Sequence, residues 1–150
     1  PYWDANARGA ILGLTRDSGI STIVAAALQS VGYQTKDLQK AMEGDGLRPS
    51  ILRVDGGMAN NNWAMAFLAN ILGASVERPT LTETTSLGVA YLAGLQTGVY
   101  ESTAQLANMW KSDRRFEPTM SSEERNDLYA KWLHCIAQVR LSNSTDDERD

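Results

Sequence analysis

The residues best able to do chemistry stand close together. Asp55, Gly56 and Gly57 end a short aliphatic run, Ile51-Leu52-Arg53-Val54, and Asn60, Asn61 and Asn62 follow almost at once. A strand that runs into a Gly-Gly turn can bring bare backbone against a flat or anionic ligand. In open α/β sheets ligands sit at the carboxyl ends of strands, where this turn falls. An asparagine opening the next helix can cap it and also offer an amide to a ligand. The same residues suit a plain strand-to-helix turn whose glycines only relieve strain, and a lone Gly-Gly does not choose between the two.

Other candidates read more simply. Thr82, Glu83, Thr84, Thr85 and Ser86 could meet a phosphate at a helix N-terminus, but no lysine or arginine follows within the first turn. That pattern favours N-capping. His134 and Cys135 are adjacent, so on a helix they point in different directions and read as packing residues rather than a nucleophile–base pair. With one histidine and one cysteine in the chain, a zinc site of His and Cys is excluded within it. Lys111, Arg114 and Arg115 read as a solvated basic cluster. Tyr2, Trp3, Trp63, Trp110 and Trp132 are too scattered for a stacking platform. Neither Gly-x-x-x-x-Gly-Lys-Ser/Thr nor Gly-x-Gly-x-x-Gly occurs, which argues against a P-loop enzyme and a standard dinucleotide enzyme.

Bulk properties bound the rest. A chain of 150 residues, 43% hydrophobic and 21% charged, suits one globular domain with its own core. A net charge of −4, from 18 acidic and 14 basic side chains, argues against nucleic-acid binding by bulk attraction. The single Cys135 permits no internal disulfide and fits a reducing, cytoplasmic setting. No apolar run is long enough to span a bilayer, no charged-then-apolar leader opens the chain, and a start at Pro1 suggests a piece of a longer protein.

The elements that must position the turn follow from periodicity. Gly9–Thr15 reads as a short buried strand and Arg16–Ser21 as a loop, with Ser21 the expected N-cap. Ile23, Val24, Ala27, Leu28, Val31, Leu38 and Met42 predict a helix with one buried face. Ile51–Val54 is the central strand. Trp63, Phe67, Leu68 and Ile71 predict a second helix that Gly73 stops, and Ala74–Arg78 a strand closed by Pro79. Leu87, Tyr91, Leu92 and Leu95 predict a third helix, in which Gly88, Ala90, Ala93 and Gly94 would admit a neighbouring backbone. Gln105–Lys111 reads as a short helix and Phe116–Met120 as extended chain. Ser121–Arg140 is a last helix with a Ser121/Glu124 capping box and a stripe of Leu128, Trp132, Ile136 and Val139. This alternation predicts an α/β fold with a mostly parallel sheet.

Several motifs then occur in one order. Pro1-Tyr2-Trp3-Asp4, Ala7-Arg8-Gly9-Ala10-Ile11-Leu12-Gly13-Leu14-Thr15-Arg16 and the stretch to Gln29 come first. Leu52-Arg53-Val54-Asp55-Gly56-Gly57, Ile71-Leu72-Gly73, Val76-Glu77-Arg78-Pro79 and Leu87–Gly94 follow. In order and spacing the chain resembles the C-terminal segment of the FGGY carbohydrate kinases, from Pro1 to about Arg140. At Thr22 it departs, where the signature has a histidine, acid or amide.

The resemblance implies an actin-like ATPase fold, ribonuclease H-like, with this chain as the C-terminal FGGY domain lacking its first strands. Residues 1–141 would be nucleotide-binding domain and 142–150 a polar, disordered tail. It implies ATP and Mg2+ as cofactors and, from the opening motif, glycerol as acceptor. It places adenine contacts at Gly57 and Asn61, beside Gly56 and Asp55, and assigns no catalytic or metal-binding residue here. The catalytic aspartate and sugar pocket would lie upstream, so the missing N-terminal part of the same kinase is an expected partner, alongside a homo-oligomer. The fragment alone is expected to be inactive and poorly stable. Rival readings are an FGGY kinase for another polyol or sugar such as xylulose, a non-kinase actin-like nucleotide module, and an interaction domain that binds no nucleotide.

Overall fold

The computed structural model describes residues 2, 4 and 7–144, the last four of these by backbone alone. Pro1 and Trp3 of the opening motif, and residues 145–150 of the expected tail, lie outside the described residues.

The core is built on α2, Asn62–Leu72. Ala64, Met65, Phe67, Leu68, Ala69, Ile71 and Leu72 are all buried on it, so burial takes in more of the helix than a single stripe. Burying a large aliphatic or aromatic side chain contributes roughly 1.5–3 kcal/mol, and α2 holds four such residues in Phe67, Leu68, Ile71 and Leu72. Gly73, in the left-handed region at φ 68°, ends the helix as expected. Trp63 differs from expectation: it is half-exposed and stacks on Phe67 at 6.2 Å between ring centroids.

A three-stranded sheet packs beside α2, in the order β1 (Ile51–Arg53), β2 (Ser75–Pro79), β3 (Ser112–Phe116). β1 and β2 are parallel, with Leu52 opposite Val76, and β2 and β3 are antiparallel, with Val76 opposite Phe116. Val76 and Phe116 turn into the core beneath α2. The sequence missed β3, and the sheet is mixed rather than mostly parallel. Ser-Asp-Arg-Arg-Phe has no apolar alternation; the strand pairs with β2 through the backbone ladder and through buried Phe116, and its charges add side-chain bonds, Arg115 reaching Glu77 at 3.4 Å and the Ser75 hydroxyl at 2.9 Å.

α1 (Ile20–Gly44) crosses α2 at Gly32. A Cβ on Gly32 would lie 2.9 Å from Phe67 Cδ1 and Cε1, so glycine here is a condition of close approach. Beside it Tyr33 meets Phe67 edge-on at 5.4 Å and stacks on Trp132 at 5.3 Å. Two charged residues are buried on this face. The Lys36 ammonium donates to Gln39 at 2.9 Å and to the Leu72 carbonyl at 3.1 Å, a cation at the C-terminal end of α2. The Asp37 carboxylate accepts from the Tyr129 hydroxyl at 2.6 Å and from Trp132 Nε1 at 2.8 Å, joining α1 to α5 (Ser122–Ser144). Burial, and then the Asp37 carboxylate, hold the Tyr129 phenol well above its ordinary range.

Several other expectations are corrected. Ser21 is not the N-cap of α1; the cap is Gly19, without a side-chain bond. The expected buried face of α1 is largely uncovered, with Val24, Val31, Leu38 and Met42 40–55% exposed. Periodicity reports that a face is apolar, not what covers it. Gly9–Thr15 forms no strand and is exposed along its length, because a strand needs a neighbour and none of the described residues pairs with it.

In α3 (Thr84–Gln96) Gly94 makes room for the Tyr100 ring rather than for a neighbouring backbone. α4 spans Thr103–Met109, earlier than expected, because Ser102 caps it by accepting from Gln105 N–H at 3.2 Å. The Ser121 hydroxyl accepts from Glu124 N–H at 3.1 Å, the expected half of the capping box, and Leu128, Trp132, Ile136 and Val139 form the half-buried stripe. α5 continues to Ser144, three residues into the expected tail.

Replacing Gly32 with valine should force α1 away from Phe67. Overpacking of this kind typically costs about 1–3 kcal/mol. Thermal or denaturant unfolding checks it, with Gly44→Ala, where an added Cβ meets nothing within 4 Å, as the variant expected to be nearly neutral.

Candidate nucleotide-binding turn

The turn grows directly out of the sheet. After β1, Val54 N–H donates to the Glu77 carbonyl at 3.0 Å, extending the pairing by one residue before Asp55 leaves the sheet. Gly56 adopts φ 80°, ψ 176°, a conformation that only glycine takes without strain. Its N–H donates to the Thr82 carbonyl at 2.8 Å, which ties the turn to the loop before α3. Gly57–Asn60 then forms one turn of 3-10 helix, and buried Ala59 anchors it to the core.

Asn61 joins the turn to α2. It is the N-cap, with φ −83° and ψ 101°, and its Oδ1 accepts from Trp63 N–H at 3.1 Å and Ala64 N–H at 3.2 Å. These bonds fix the amide plane, and Nδ2 donates to no described residue. The exposed side chain therefore presents a donor of set direction beside the turn.

The two glycines serve different ends. Gly56 is required by its dihedral angles. Gly57 has no positive φ, and a Cβ built on it meets nothing within 4 Å. Neither backbone strain nor crowding among the described residues calls for glycine at 57. What it provides is an open backbone surface, and a flat ring can lie against such a surface.

The structure thus brings Asp55, Gly56, Gly57 and Asn61 into one turn at the carboxyl end of β1. It joins Thr82 to them, but through the backbone carbonyl. The expected capping by the Thr82–Ser86 hydroxyls does not occur: Glu83 is the N-cap of α3 and makes no side-chain cap bond. Thr84, Thr85 and Ser86 already lie within the first turn of the helix. His134 pairs with Gln138 at 3.2 Å on α5, next to half-buried Cys135 and far along the chain from the turn. The basic cluster at 111–115 is not simply solvated. Besides the bonds of Arg115, the Arg114 guanidinium lies 4.9 Å from the centre of the Phe116 ring. Among the described residues no three His, Cys, Asp or Glu side chains converge as a metal site.

Sequence reasoning missed Arg78. Its Nη1 donates to the Ala59 carbonyl at 2.9 Å and to Asn62 Oδ1 at 3.0 Å, while Nε and Nη2 both reach Asp113 Oδ2, at 2.8 and 2.6 Å. Only the Arg-Pro that closes β2 hinted at it.

The FGGY family of carbohydrate kinases, C-terminal domain, matches residues 1–97. The chain belongs to that family. Relatives within and around this FGGY domain are close: it is 63% identical over 142 residues to a glycerol kinase of Alteromonas mediterranea, covering 95% of this chain and 29% of the relative. It is 59% identical over 140 residues to glycerol kinase 1 of Pseudomonas aeruginosa, covering 93% and 28%. Among solved structures, Plasmodium falciparum glycerol kinase with ADP superposes with a TM-score of 0.80 at 30% identity, over 93% of this chain and 28% of that one. A xylulose kinase from Lactobacillus acidophilus superposes with a TM-score of 0.79 at 20% identity and shows the shared fold alone. The fold is therefore that of the C-terminal part of an FGGY kinase, an actin-like ATPase. The chain spans somewhat under a third of the length of these relatives.

Asn61 has two separable duties here, capping and donating. Asn61→Ala should cost about 1 kcal/mol of stability through loss of the cap. Asn61→Asp keeps the acceptor and should unfold near the parent temperature. Parallel thermal melts of the two variants check this.

Proposed function

We propose that the chain is the nucleotide-holding C-terminal part of a kinase that transfers the γ-phosphate of ATP to glycerol, giving sn-glycerol 3-phosphate and ADP. The observation that carries the nucleotide assignment is Gly57, a glycine that neither dihedral angle nor packing requires, set beside an Asn61 donor of fixed direction. A bare peptide face suits the flat adenine ring, and Asn61 Nδ2 suits a ring nitrogen that accepts a hydrogen bond. Gly56 and Asp55 shape the turn beneath them. The names of the relatives, at 59–63% identity, support glycerol as the acceptor, and ADP in the Plasmodium falciparum structure supports an adenine nucleotide.

Transfer to glycerol requires attack of a substrate hydroxyl on the γ-phosphate, with a carboxylate to take the proton. We assign that base and the glycerol pocket to parts of the kinase outside these 150 residues. Mg2+ would neutralise phosphate charge, and its ligands belong to the same outside parts. The uncovered apolar row of α1, and Ile11, Leu12 and Leu14 at 46–59% exposed, suit burial against that remainder. We further assign the assembled kinase to the cytoplasm, as a homo-oligomer. Among the described residues no helix is long and apolar enough to cross a membrane.

The test is made on the full-length kinase. Gly57→Trp should fill the space meant for the base and raise KM for ATP by about tenfold or more, a loss of at least about 1.4 kcal/mol in binding, with KM for glycerol unchanged. An unchanged KM for ATP would place the adenine elsewhere. No phosphorylation of glycerol by the parent enzyme, with activity on another polyol or sugar, would overturn the acceptor.

A further inference from the structure

We propose that Arg78 is a positioning residue for the nucleotide, acting through the turn that presents Gly57 and Asn61. The inference rests on the adenine assignment above and adds the device that holds the turn in place.

A single turn of 3-10 helix has poor hydrogen-bond geometry and does not sustain itself. Gly57–Asn60 is therefore set by its surroundings. On one side the Gly56 N–H is held by the Thr82 carbonyl at 2.8 Å. On the other, Arg78 Nη1 holds both the Ala59 carbonyl, inside the turn, and Asn62 Oδ1, at the first residue of α2. These two contacts bracket Asn60 and Asn61. The guanidinium thus fixes the spacing between the 3-10 turn, which carries Gly57, and the cap that orients the Asn61 amide.

Arg78 can serve as a fixed point because it is held from behind. Nε and Nη2 converge on one oxygen of Asp113, and the side chain is 12% exposed. The Phe116 ring lies 5.7 Å below the guanidinium carbon. The β2–β3 ladder supplies the carboxylate by a change of register. Arg78 stands opposite Arg114 and Pro79 opposite Ser112, so Asp113 is an extra residue in the ladder. Extra residues of this kind re-aim side chains, and Pro79 has no N–H with which to continue the regular pairing. A planar fork with several donors meets a carboxylate on one edge and a carbonyl on the other. A lysine, with one ammonium, cannot hold both directions.

The consequence is specific. Loosening Arg78 should blur the position of the turn and so affect recognition of the base, while leaving glycerol recognition intact. In the full-length kinase, Arg78→Gln is expected to raise KM for ATP about tenfold and to reduce the preference for ATP over UTP by a similar factor. KM for glycerol should stay within about twofold of the parent. Asp113→Asn, which keeps both bonds from Arg78 to the turn but weakens their anchor, should shift the same two quantities by a smaller factor. Arg78→Lys should resemble Arg78→Gln.

A merely structural role would lower the melting temperature and change both KM values together, or neither, without altering the ATP-to-UTP ratio; that result would overturn the proposal. If Arg78→Gln does not fold, Asp113→Asn, at a half-exposed carboxylate, decides by the same ratio. Gly57→Trp in parallel separates the two inferences. Weakened ATP use by Gly57→Trp with unaltered base preference in the Arg78 and Asp113 variants sinks only the role of Arg78. Unaltered ATP use by Gly57→Trp removes the adenine assignment and this proposal with it.

Discussion

The burial of α2 is the constraint on which the rest of the structure depends. It is covered by α1 through Gly32 and Tyr33, by the sheet through Val76 and Phe116, and by α5 through Leu128 and Tyr129. Its first residue, Asn62, follows the cap Asn61, so the helix that forms the core also begins at the candidate site. The position of the Asn61 amide is then set by packing along the whole helix. A ligand group that must be held to within a fraction of an ångström benefits from such an anchor.

Charge completes what apolar packing leaves open. β3 has one buried residue, Phe116, and is otherwise polar. Besides the backbone ladder and Phe116, its attachment to β2 draws on Glu77, Arg78, Asp113 and Arg115. Isolated surface ion pairs contribute little because solvent screens them and side-chain entropy opposes them. Here Arg78 is nearly buried and its donors are shared among a carboxylate, a backbone carbonyl and an amide oxygen, which gives the network direction as well as attraction. On α1, Asp37 is also enclosed. Its two oxygens are satisfied by the Tyr129 hydroxyl and the Trp132 indole, so a buried carboxylate links two helices.

Membership in the FGGY kinases gives these features a setting. The turn lies at the carboxyl end of β1, where backbone N–H and C=O groups leave the ladder and become available to a ligand. Among the apolar residues that remain uncovered are Val24, Val31, Leu38 and Met42 on α1 and Ile11, Leu12 and Leu14 before it.

The sequence by itself determined the elements whose signals are local. Gly73 stops α2, Ser121 caps α5, and the strand–Gly-Gly–Asn run forms a turn and a cap, because dihedral preferences and short-range hydrogen bonds act within a few residues. The ordered motifs also identified the family. What local pattern could not supply was decided by tertiary structure. β3 is a strand because its backbone pairs with β2 and Phe116 enters the core, although its own residues lack a strand's alternation. Gly9–Thr15 has the apolar character of a strand and no pairing partner among the described residues. The helical period of α1 named Val24, Val31, Leu38 and Met42, yet the buried residues of α1 are Gly32, Lys36 and Asp37, and Lys36 reaches Leu72 while Asp37 reaches Tyr129 and Trp132, far along the chain. Arg78 was illegible for the same reason: its role rests on Ala59, Asn62 and Asp113, which only the folded chain brings to one guanidinium.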